Sequence, residues 1–521
     1  MKLSVSSVIP QNPVFLWLWI TLLVWWSGLA GRDLFLVPAL IFVGIYTYQI
    51  RNKQPSIITT KWTNSSYAKR WLISLFLVHV VLNLAITILK YYSFRWNVWD
   101  VGSYSNMLYN ISQGRFYSSY LGTHNWGDHF SPSMSPLALF YLWVPSTHWV
   151  TLAKTVAYLS VPLLIHKICK ESFQNKEQAW SVTVILGAAW MLFYAPALNS
   201  LYYEFQPSAL APPFILYAFL CFQRKLWLRF WFTMIVILGF KENLGAVWIG
   251  FGCFMVLATP NKKMGFFLIS GGIISIYLIM FHVMPYFRNF EESWSMPVGP
   301  FQDIPGKLIY LFKILIPLGF LPLIFWRFGI IAGPAIGVNL LSSGPKMYST
   351  SYHYDDIPST LLMVAMVLIV SSGSLKLRFW EEKKAGQWLL AGWIVCVLGM
   401  LPPSPMRELY ASIPDKLHRV IRKELIEFDQ FSKGEPIAVQ TSLGPQFNRT
   451  NILAITQDSN GNCAPMRGDL LVAETKYLVF AKSLNHYLIE DLEQCLKKIN
   501  LSRDYEILHA YQNLHIYKKI N

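Results

Sequence analysis

Acids, histidines and tyrosines gather in four short segments of this sequence, each beside a long apolar run. A carboxylate in such a segment could act as a general base that takes the proton from an attacking hydroxyl. A lysine or arginine nearby could neutralise a phosphate leaving group. The segments read WDVG at 99–102 with GR at 114–115 and GDHFSP at 127–132, YYEFQP at 202–207, KEN at 241–243, and YHYDD at 352–356.

These residues divide into three sets of candidates. Ionisable groups near a bilayer are costly and are therefore functional candidates by default. The catalytic candidates are Asp100, Asp128 and Glu204. Asp128, His129 and Glu204 could instead hold a divalent cation, Mg²⁺ or Mn²⁺, through oxygen and imidazole ligands. The residues predicted to bind substrate or phosphate are Arg115, Lys241, Glu242, Tyr352, His353 and Tyr354.

Ordinary structural roles remain open for the same side chains. Asp100 could cap the helix that follows it, and Glu204 could mark a helix start. Lys241 and Glu242 could simply pair with each other inside a helix bundle. The remaining alternatives are an interfacial turn at Asp128 and His129 and an interfacial anchor at His353.

Motifs for nucleotide binding and for zinc proteases are absent from the sequence. There is no GxxxxGK[ST], no GxGxxG and no HExxH pattern. An ATP-driven pump and an intramembrane zinc protease are therefore disfavoured, and we expect no nucleotide cofactor. A donor molecule supplied from the lipid phase fits a membrane enzyme of this kind.

Composition and charge place these segments in a membrane protein. Hydrophobic residues make up 54% of the chain and charged residues 14%, about half the charged share of a soluble protein. The formal net charge is +16, with 29 Lys and Arg against 14 Asp and Glu in residues 1–404, and 15 against 14 in residues 405–521. The basic excess lies between apolar runs, where it orients helices. No nucleic-acid-binding motif accompanies it, so a nucleic-acid partner is not expected.

Apolar runs of about 20 residues predict about thirteen transmembrane helices over residues 1–404. The fourth run is too long for one span and contains a break signal at Pro145, and the seventh is short. The predicted spans are 13–30, 34–50, 71–90, 134–166, 179–197, 208–222, 228–240, 244–259, 264–285, 308–326, 328–342, 357–373 and 386–402.

Basic loops predict the orientation of these helices. If the basic loop between the second and third spans is cytoplasmic, 19 of the 29 basic residues in the membrane part lie in the cytoplasm and ten of its 14 acids on the other side. The sequence therefore predicts a multi-pass protein of the bacterial inner membrane with a cytoplasmic N-terminus. All four clusters of candidates then face the extracytoplasmic side.

Residues 405–521 predict a small α/β domain on that extracytoplasmic side. Strand patterns occur at 437–440, 452–455 and 477–481, and helical patterns at 416–431 and 484–499. The end of the chain, 505–511 and 514–518, reads as a hairpin. Cys463 and Cys495 are the two cysteines of this region, and both a disulfide and two free thiols remain open.

Four ordered motifs resemble those of a bacterial membrane family called domain of unknown function 2079. The motifs are WDVGSYSNMLYNISQGRFY, GDHFSPSMSPLALFY, YYEFQPSALAPPFILYAF with GFKEN, and SYHYDDIPSTLL. The resemblance runs from about residue 99 to about residue 401. That family is similar to the GT-C superfamily of integral-membrane glycosyltransferases, which includes the aminoarabinose transferases and protein mannosyltransferases.

The resemblance implies a fold and an activity. GT-C enzymes use polyprenyl-phosphate sugars and place a catalytic Asp in the first large external loop, the position that Asp100 occupies here. By the same resemblance, Asp128, His129 and Glu204 are the next candidates for acid, metal or acceptor contacts. The superfamily often has two adjacent acids in that loop, whereas Asp100 is followed by Val101. The role of Asp128 as partner is therefore a hypothesis.

Two function hypotheses follow. The first is a glycosyltransferase that moves a sugar from a polyprenyl-phosphate donor to an extracytoplasmic lipid or envelope-glycan acceptor. The second is a transporter or flippase of a lipid-linked or anionic solute. Acids midway along spans would favour the second, but the charged residues gather at one predicted face.

Overall fold

The structure is a computed structural model of the 521-residue chain. It describes residues 66–288, 298–372 and 404–520, apart from 433, 458–459, 461, 466–474, 482–483, 485–488, 503 and 511–513. The spans predicted at 13–30, 34–50 and 386–402 lie outside the described residues.

Apolar helices make up most of residues 66–372. Their ends follow local capping signals: the side chain of Asn175 accepts a hydrogen bond from the backbone of Glu177 at the start of one helix, and Asp303 does the same for Gly306 at another. The α-helices are α1 Ser66–Tyr92, α2 Ser103–Ser112, α3 Asn125–Asp128, α4 Ala138–Trp143, α5 His148–Ser172, α6 Lys176–Ala188, α7 Ala195–Tyr202, α8 Ala211–Gln223, α9 Trp227–Leu238, α10 Gly245–Ala258, α11 Lys262–Leu278, α12 Met284–Phe287, α13 Ile304–Leu315, α14 Leu321–Ile324, α15 Trp326–Gly329, α16 Gly333–Leu341 and α17 Asp356–Ser371.

Short tighter or wider helical turns join several of these helices. The π-helical turns are Val98–Gly102, Ala189–Phe193 and Ile279–Val283. The 3₁₀ turns of this part are Pro132–Leu137, Pro207–Leu210, Glu242–Leu244, Ile316–Leu318, Ile330–Ala332 and His353–Asp355. Five of the nine turns begin at, or contain, residues of the predicted clusters, so the candidate residues lie where regular helices stop.

Within the described residues, four helical stretches are each long and apolar enough to cross a membrane, and a fifth is bent by 50° between Phe193 and Ala195. Four shorter apolar stretches accompany them. The multi-pass prediction is therefore supported, whereas the number thirteen is not confirmed.

Two predicted spans differ from the observed helices. The run at 134–166 is interrupted after Trp143, and α5 begins only at His148, so the break predicted at Pro145 is confirmed. The run at 308–326 is not one helix, because Gly319 and Phe320 both adopt left-handed backbone angles after α13. Hydropathy alone does not register such a break.

Glycines bring α10 and α11 into close contact. A Cβ at Gly252 would lie 2.5 Å from the carbonyl oxygen of Gly265, and one at Gly245 would lie 2.6 Å from that of Gly272. Small residues allow this approach of two helices where lipid offers no hydrophobic driving force between them. The pair supports the short Lys241–Asn243 segment that precedes α10.

Residues 404–520, called the tail below, form a mixed six-stranded sheet between helices. The strand order is β5-β4-β3-β6-β8-β7, with β3 parallel to both β4 and β6 and the remaining neighbours antiparallel. The elements are α18 Pro405–Ser412, α19 Lys416–Phe431, β3 Ile437–Val439, the 3₁₀ turn Gly444–Gln446, β4 Ile452–Gln457, β5 Cys463–Pro465, β6 Tyr477–Ala481, α20 Leu492–Leu501, β7 Tyr505–Ala510 and β8 Leu514–Lys519; a small hairpin, β1 Tyr117–Ser118 with β2 Thr123–His124, lies earlier in the chain.

The α/β architecture predicted for the tail is observed, with α19 and β6 at their predicted bounds. The helix predicted at 484–499 begins later, at Leu492. The hairpin of β7 and β8 is observed, and β5 was not predicted. Cys463 on β5 and Cys495 on α20 form a disulfide, which selects one of the two alternatives left open.

Candidate active site beside Asp100

Asp100 lies in the π-helical turn Val98–Gly102 that follows the end of α1. The side chain of Asn97 caps this turn by accepting a hydrogen bond from the backbone of Trp99 at 2.8 Å. The cap is therefore Asn97, and the capping role considered for Asp100 is not observed. Val98 and Val101 are fully buried while the Asp100 side chain keeps partial exposure.

Gln206 joins Asp100 to the other clusters. Its side-chain amide donates a hydrogen bond to Asp100 Oδ1. Its oxygen accepts from the Lys241 ammonium at 3.3 Å and from the hydroxyl of Tyr104 at 3.2 Å. A carboxylate and an ammonium from segments about 140 residues apart are thus bridged by one amide. The sequence predicted Asp100 and Lys241 but not Gln206, because an uncharged amide gave no signal.

Tyr104, on α2, lies where several of the acids converge. Burial and the nearby carboxylates of Asp128, Asp100 and Glu242 raise the pKa of the Tyr104 hydroxyl well above its usual value. Most residues of α2 are buried.

Glu204 is held beside Asp100 by Asn97. The Asn97 side-chain amide donates to Glu204 Oε1, and the Asn97 backbone N–H donates to Oε2 at 3.4 Å. Burial, followed by repulsion from Asp100, raises the pKa of Glu204 to about 8. Burial also raises the pKa of Asp100, against the opposing effects of the Gln206 hydrogen bond and the Lys241 charge. The two carboxyl groups therefore tend to share one negative charge at neutral pH.

Lys154 supports the backbone of this cluster from α5. Its buried ammonium donates to the carbonyl oxygens of Tyr203 and, at 3.1 Å, of Glu204. The sequence did contain a signal for this residue, because a lysine inside a predicted span is rare unless it has a partner.

His129 pairs with Glu242. The His129 Nδ1 lies 3.0 Å from Glu242 Oε1, and Nε2 lies 3.8 Å from Asp128 Oδ2. Burial lowers the pKa of His129, but the carboxylates of Glu242 and Asp128 outweigh it and the net pKa is raised. The Glu242 carboxylate also accepts from the backbone of Phe130 at 3.3 Å. Glu242 therefore pairs with His129, and the pairing of Lys241 with Glu242 that was left open is not the contact observed.

His353 packs against the rings of Tyr203 and Tyr354, close to Lys241. Its ring lies 5.2 Å from that of Tyr203 and 4.1 Å from that of Tyr354, and the Lys241 ammonium lies 5.8 Å from the Tyr354 ring. Tyr203 also contacts Tyr352, at 5.7 Å between ring centres. His353 is 5% exposed, and neither of its ring nitrogens has a hydrogen-bond partner in the described structure. Buried polar atoms are rarely left this way.

Arg115 and the predicted metal ligands are not arranged as the sequence predicted. Arg115 is exposed in the turn after α2 and lies outside the buried network. Among the described residues, no group of three or more His, Cys, Asp or Glu side chains could hold a metal ion. Asp128, His129 and Glu204 are thus not arranged as ligands to one cation. The expected cation stays a prediction.

Asp355 and Asp356 belong to a separate buried network. Asp355 accepts from the Tyr310 hydroxyl at 2.7 Å, and Asp356 accepts from Ser208 at 2.9 Å and from Tyr158. These hydrogen bonds hold the two carboxylates at the start of α17, and Asp355 Oδ2 has no hydrogen-bond partner among the described residues.

The tail covers the turn that carries Asp100. Backbone oxygens of Gly444 and Pro445 accept hydrogen bonds from Tyr120 at 3.3 Å and from Thr147 at 2.6 Å. A Cβ at Gly444 would lie 2.3 Å from a methyl carbon of Val98. Val98 and Tyr120 also share one hydrophobic core with the sheet of the tail. Further polar contacts join Asn106 to Arg449, Ser119 to Thr450 and Gln446 to Tyr91.

The fold is similar to that of solved membrane proteins. The crystal structure of ArnT from Cupriavidus metallidurans bound to undecaprenyl phosphate matches with a TM-score of 0.53 and 11% identity, over 86% of this chain and 98% of that chain. The same protein in the apo state matches with a TM-score of 0.54 and 12% identity, over 87% and 99% of the two chains. At these identities the similarity shows the fold alone. It defines a multi-pass membrane protein of the ArnT-like fold class.

The family is defined by sequence. Residues 90–416 match the family model described as a predicted membrane protein, DUF2079. The chain belongs to this family, and the resemblance indicated by the four motifs is confirmed. No curated protein matches the sequence.

Proposed function

We propose that this protein is an integral-membrane glycosyltransferase that moves a sugar from a polyprenyl-phosphate carrier to a lipid or envelope-glycan acceptor outside the cytoplasm. The observation that carries the proposal is the bridge from Asp100 through Gln206 to Lys241. It sets a partly exposed carboxylate beside a buried ammonium, which are the groups needed at the two ends of a displacement at a sugar phosphate. The ArnT structure that contains undecaprenyl phosphate supports a lipid phosphate as the donor class.

The reaction is a direct displacement. The oxygen of the acceptor hydroxyl attacks the anomeric carbon while the bond from that carbon to the phosphate oxygen breaks. Asp100 takes the hydroxyl proton as general base, and polyprenyl phosphate leaves with the bonding electron pair. A pKa raised by burial suits Asp100 to this role, because a base works best when its pKa approaches the working pH. Lys241 stabilises the charge that develops on the phosphate.

Neighbouring residues complete the site. The unpartnered nitrogens of His353 are available to a phosphate oxygen or a sugar hydroxyl. Glu204 and Asp100 share one negative charge, and Asp100 acts as the base when that charge lies on it. His129 and Glu242 hold the loop containing Asp128 against the start of α10. Asp128 would contact the acceptor from this loop.

The proposed side of the membrane follows from the distribution of basic loops and from the disulfide of the tail. Disulfides persist in oxidising compartments, so the pairing of Cys463 with Cys495 supports an extracytoplasmic tail.

The test is a transfer assay on purified protein in nanodiscs with radiolabelled polyprenyl-phosphate hexoses and pentoses. Wild type should release polyprenyl phosphate in the presence of an envelope lipid extract, whereas Asp100→Asn should bind the donor with little change and release at least about 10³-fold less. Donor binding by wild type with movement across the bilayer and no release would contradict the proposal and favour the flippase.

A further inference from the structure

The first two helices of the tail lie beside the end of a membrane span. α18 packs along the last turns of α1, where Lys90 and Glu408 form an ion pair at 3.3 Å. In α19, the guanidinium of Arg422 lies 4.0 Å from the ring centre of Tyr92. Tyr92 ends the 21-residue stretch that is long and apolar enough to cross a bilayer. The start of α19 is therefore at the level where hydrocarbon gives way to headgroups.

Among the described residues, α19 packs one face against the sheet and leaves most of the opposite face, called the unpartnered face below, uncovered. Ile421, Leu425 and Phe428 pack against the sheet. On the opposite side Val420 is 43% and Ile426 49% exposed. Basic residues occupy the first half of the helix and acids the second half, in the order Lys416, Arg419, Arg422, Lys423, Glu424, Glu427 and Asp429.

An open groove crosses the unpartnered face. Arg419, Arg422, Lys423, Ile426 and Glu427 line it. Glu427 lies 3.9 Å from Lys423 and neutralises part of the positive charge at one end. At the other end, Arg419 and Arg422 form no ion pair with an acid of this helix in the described structure, and Arg422 lies against Tyr92 at the end of the span. A surface of guanidinium groups interleaved with apolar side chains is typical of helices that lie in a membrane interface.

We propose that this groove binds the headgroups of anionic phospholipids in the leaflet that the tail faces. Guanidinium groups bind phosphate oxygens through paired hydrogen bonds, and Val420 and Ile426 reach the acyl boundary. Tyr410 on α18 and Ile413, the residue that follows this helix, are also more than half exposed, at 64% and 52%, and extend the apolar surface toward α1. Lipid bound here holds the tail against the bilayer and so keeps Gly444 and Pro445 over the Asp100 turn.

The test is hydrogen exchange of α19 amides in the full-length protein, in nanodiscs of phosphatidylglycerol and in nanodiscs of phosphatidylcholine. In wild type at low salt we expect slower exchange of residues 418–426 in phosphatidylglycerol, by roughly 25-fold if two side chains each contribute about fivefold. The difference should shrink in 0.5 M salt, because salt screens headgroup charge.

The double variant Arg419→Gln with Arg422→Gln should lose this difference between the two lipids. The control, Lys497→Gln with Lys498→Gln, removes the same charge from α20, which packs on the other face of the sheet, and should retain it. Thermal melting verifies that both variants fold. Equal exchange in the two lipids for wild type, the same loss in the control, or loss of the lipid effect on adding inorganic phosphate at matched ionic strength would overturn the proposal.

Discussion

Replacing Gly444 with alanine should disturb the position of Asp100 from a distance. The added Cβ would lie 2.3 Å from a methyl carbon of Val98 and 2.9 Å from the Tyr120 hydroxyl. Carbon atoms in contact prefer about 3.5–4.0 Å, so Val98 or the tail must move by more than about 1 Å. Val98 begins the turn that carries Asp100, and a 1 Å misplacement of a catalytic group can cost about 100-fold in rate.

The variant should therefore lose about 100-fold in kcat with a smaller change in KM, and about 1–3 kcal/mol of stability from overpacking. The assay is sugar transfer in nanodiscs together with a thermal melt. Gly337→Ala is the matched control, because a Cβ there meets nothing within 4 Å. Val98→Ala added to Gly444→Ala removes the clashing methyl and should restore part of kcat. A Gly444→Ala protein with lowered melting temperature and unchanged kcat would refute the positioning argument.

Three further predictions concern ionisation and cross-linking. The pKa of Glu204 is raised from 4.5 to about 8, so between these pH values the unfolded chain has released this proton while the folded chain keeps it, and the folded state loses stability as pH rises. The melting temperature of the wild type should therefore fall across this pH window more steeply than that of Glu204→Gln. Parallel curves for the two proteins would exclude the shift. Glu242→Gln leaves His129 without its nearest carboxylate and should lower the free energy of unfolding by about 3 kcal/mol, measured by thermal or chemical denaturation. Adding His129→Gln should recover part of this loss. A Glu242→Gln protein as stable as the wild type would contradict the pairing. Cys463→Ser removes the disulfide to Cys495, which is 32 residues away, and should lower the free energy of unfolding of the tail by about 3–4 kcal/mol. Reducing agent should destabilise the wild type in the same way and leave the variant unchanged. A melting temperature that neither the substitution nor the reducing agent alters would argue against the bond.

Regular periodicity predicted the elements that local sequence determines. The amphipathic pattern of residues 416–431 gave α19 at its observed bounds, because one apolar stripe faces the sheet along its whole length. The apolar run at 477–481 gave β6, a central strand buried on both faces. The run at 308–326 was wrong as a single helix, because the left-handed residues Gly319 and Phe320 break a stretch that is apolar throughout.

The sequence predicted the charged residues of the site but not the neutral residues that connect them. Asp100, Glu204 and Lys241 stood out as ionisable groups beside apolar runs. The structure brings Asp100 and Lys241 together around Gln206, and Asn97 holds Glu204 nearby. Asn97 and Gln206 are neutral, so only the folded geometry identifies them. Contacts of the tail with Val98 could not be predicted, because they join residues more than 300 positions apart.

The most direct test of the proposed function is mass spectrometry of envelope glycans and lipid-linked precursors in a strain lacking this gene, complemented with wild type or with Asp100→Asn at equal expression. Transfer from a polyprenyl-phosphate donor predicts that a hexose- or pentose-sized mass disappears from the envelope in the deletion strain and returns only with wild type. Return of that mass with Asp100→Asn would contradict the catalytic role of Asp100. An unchanged glycan profile with lipid-linked precursor accumulating in the cytoplasmic leaflet would contradict transfer itself.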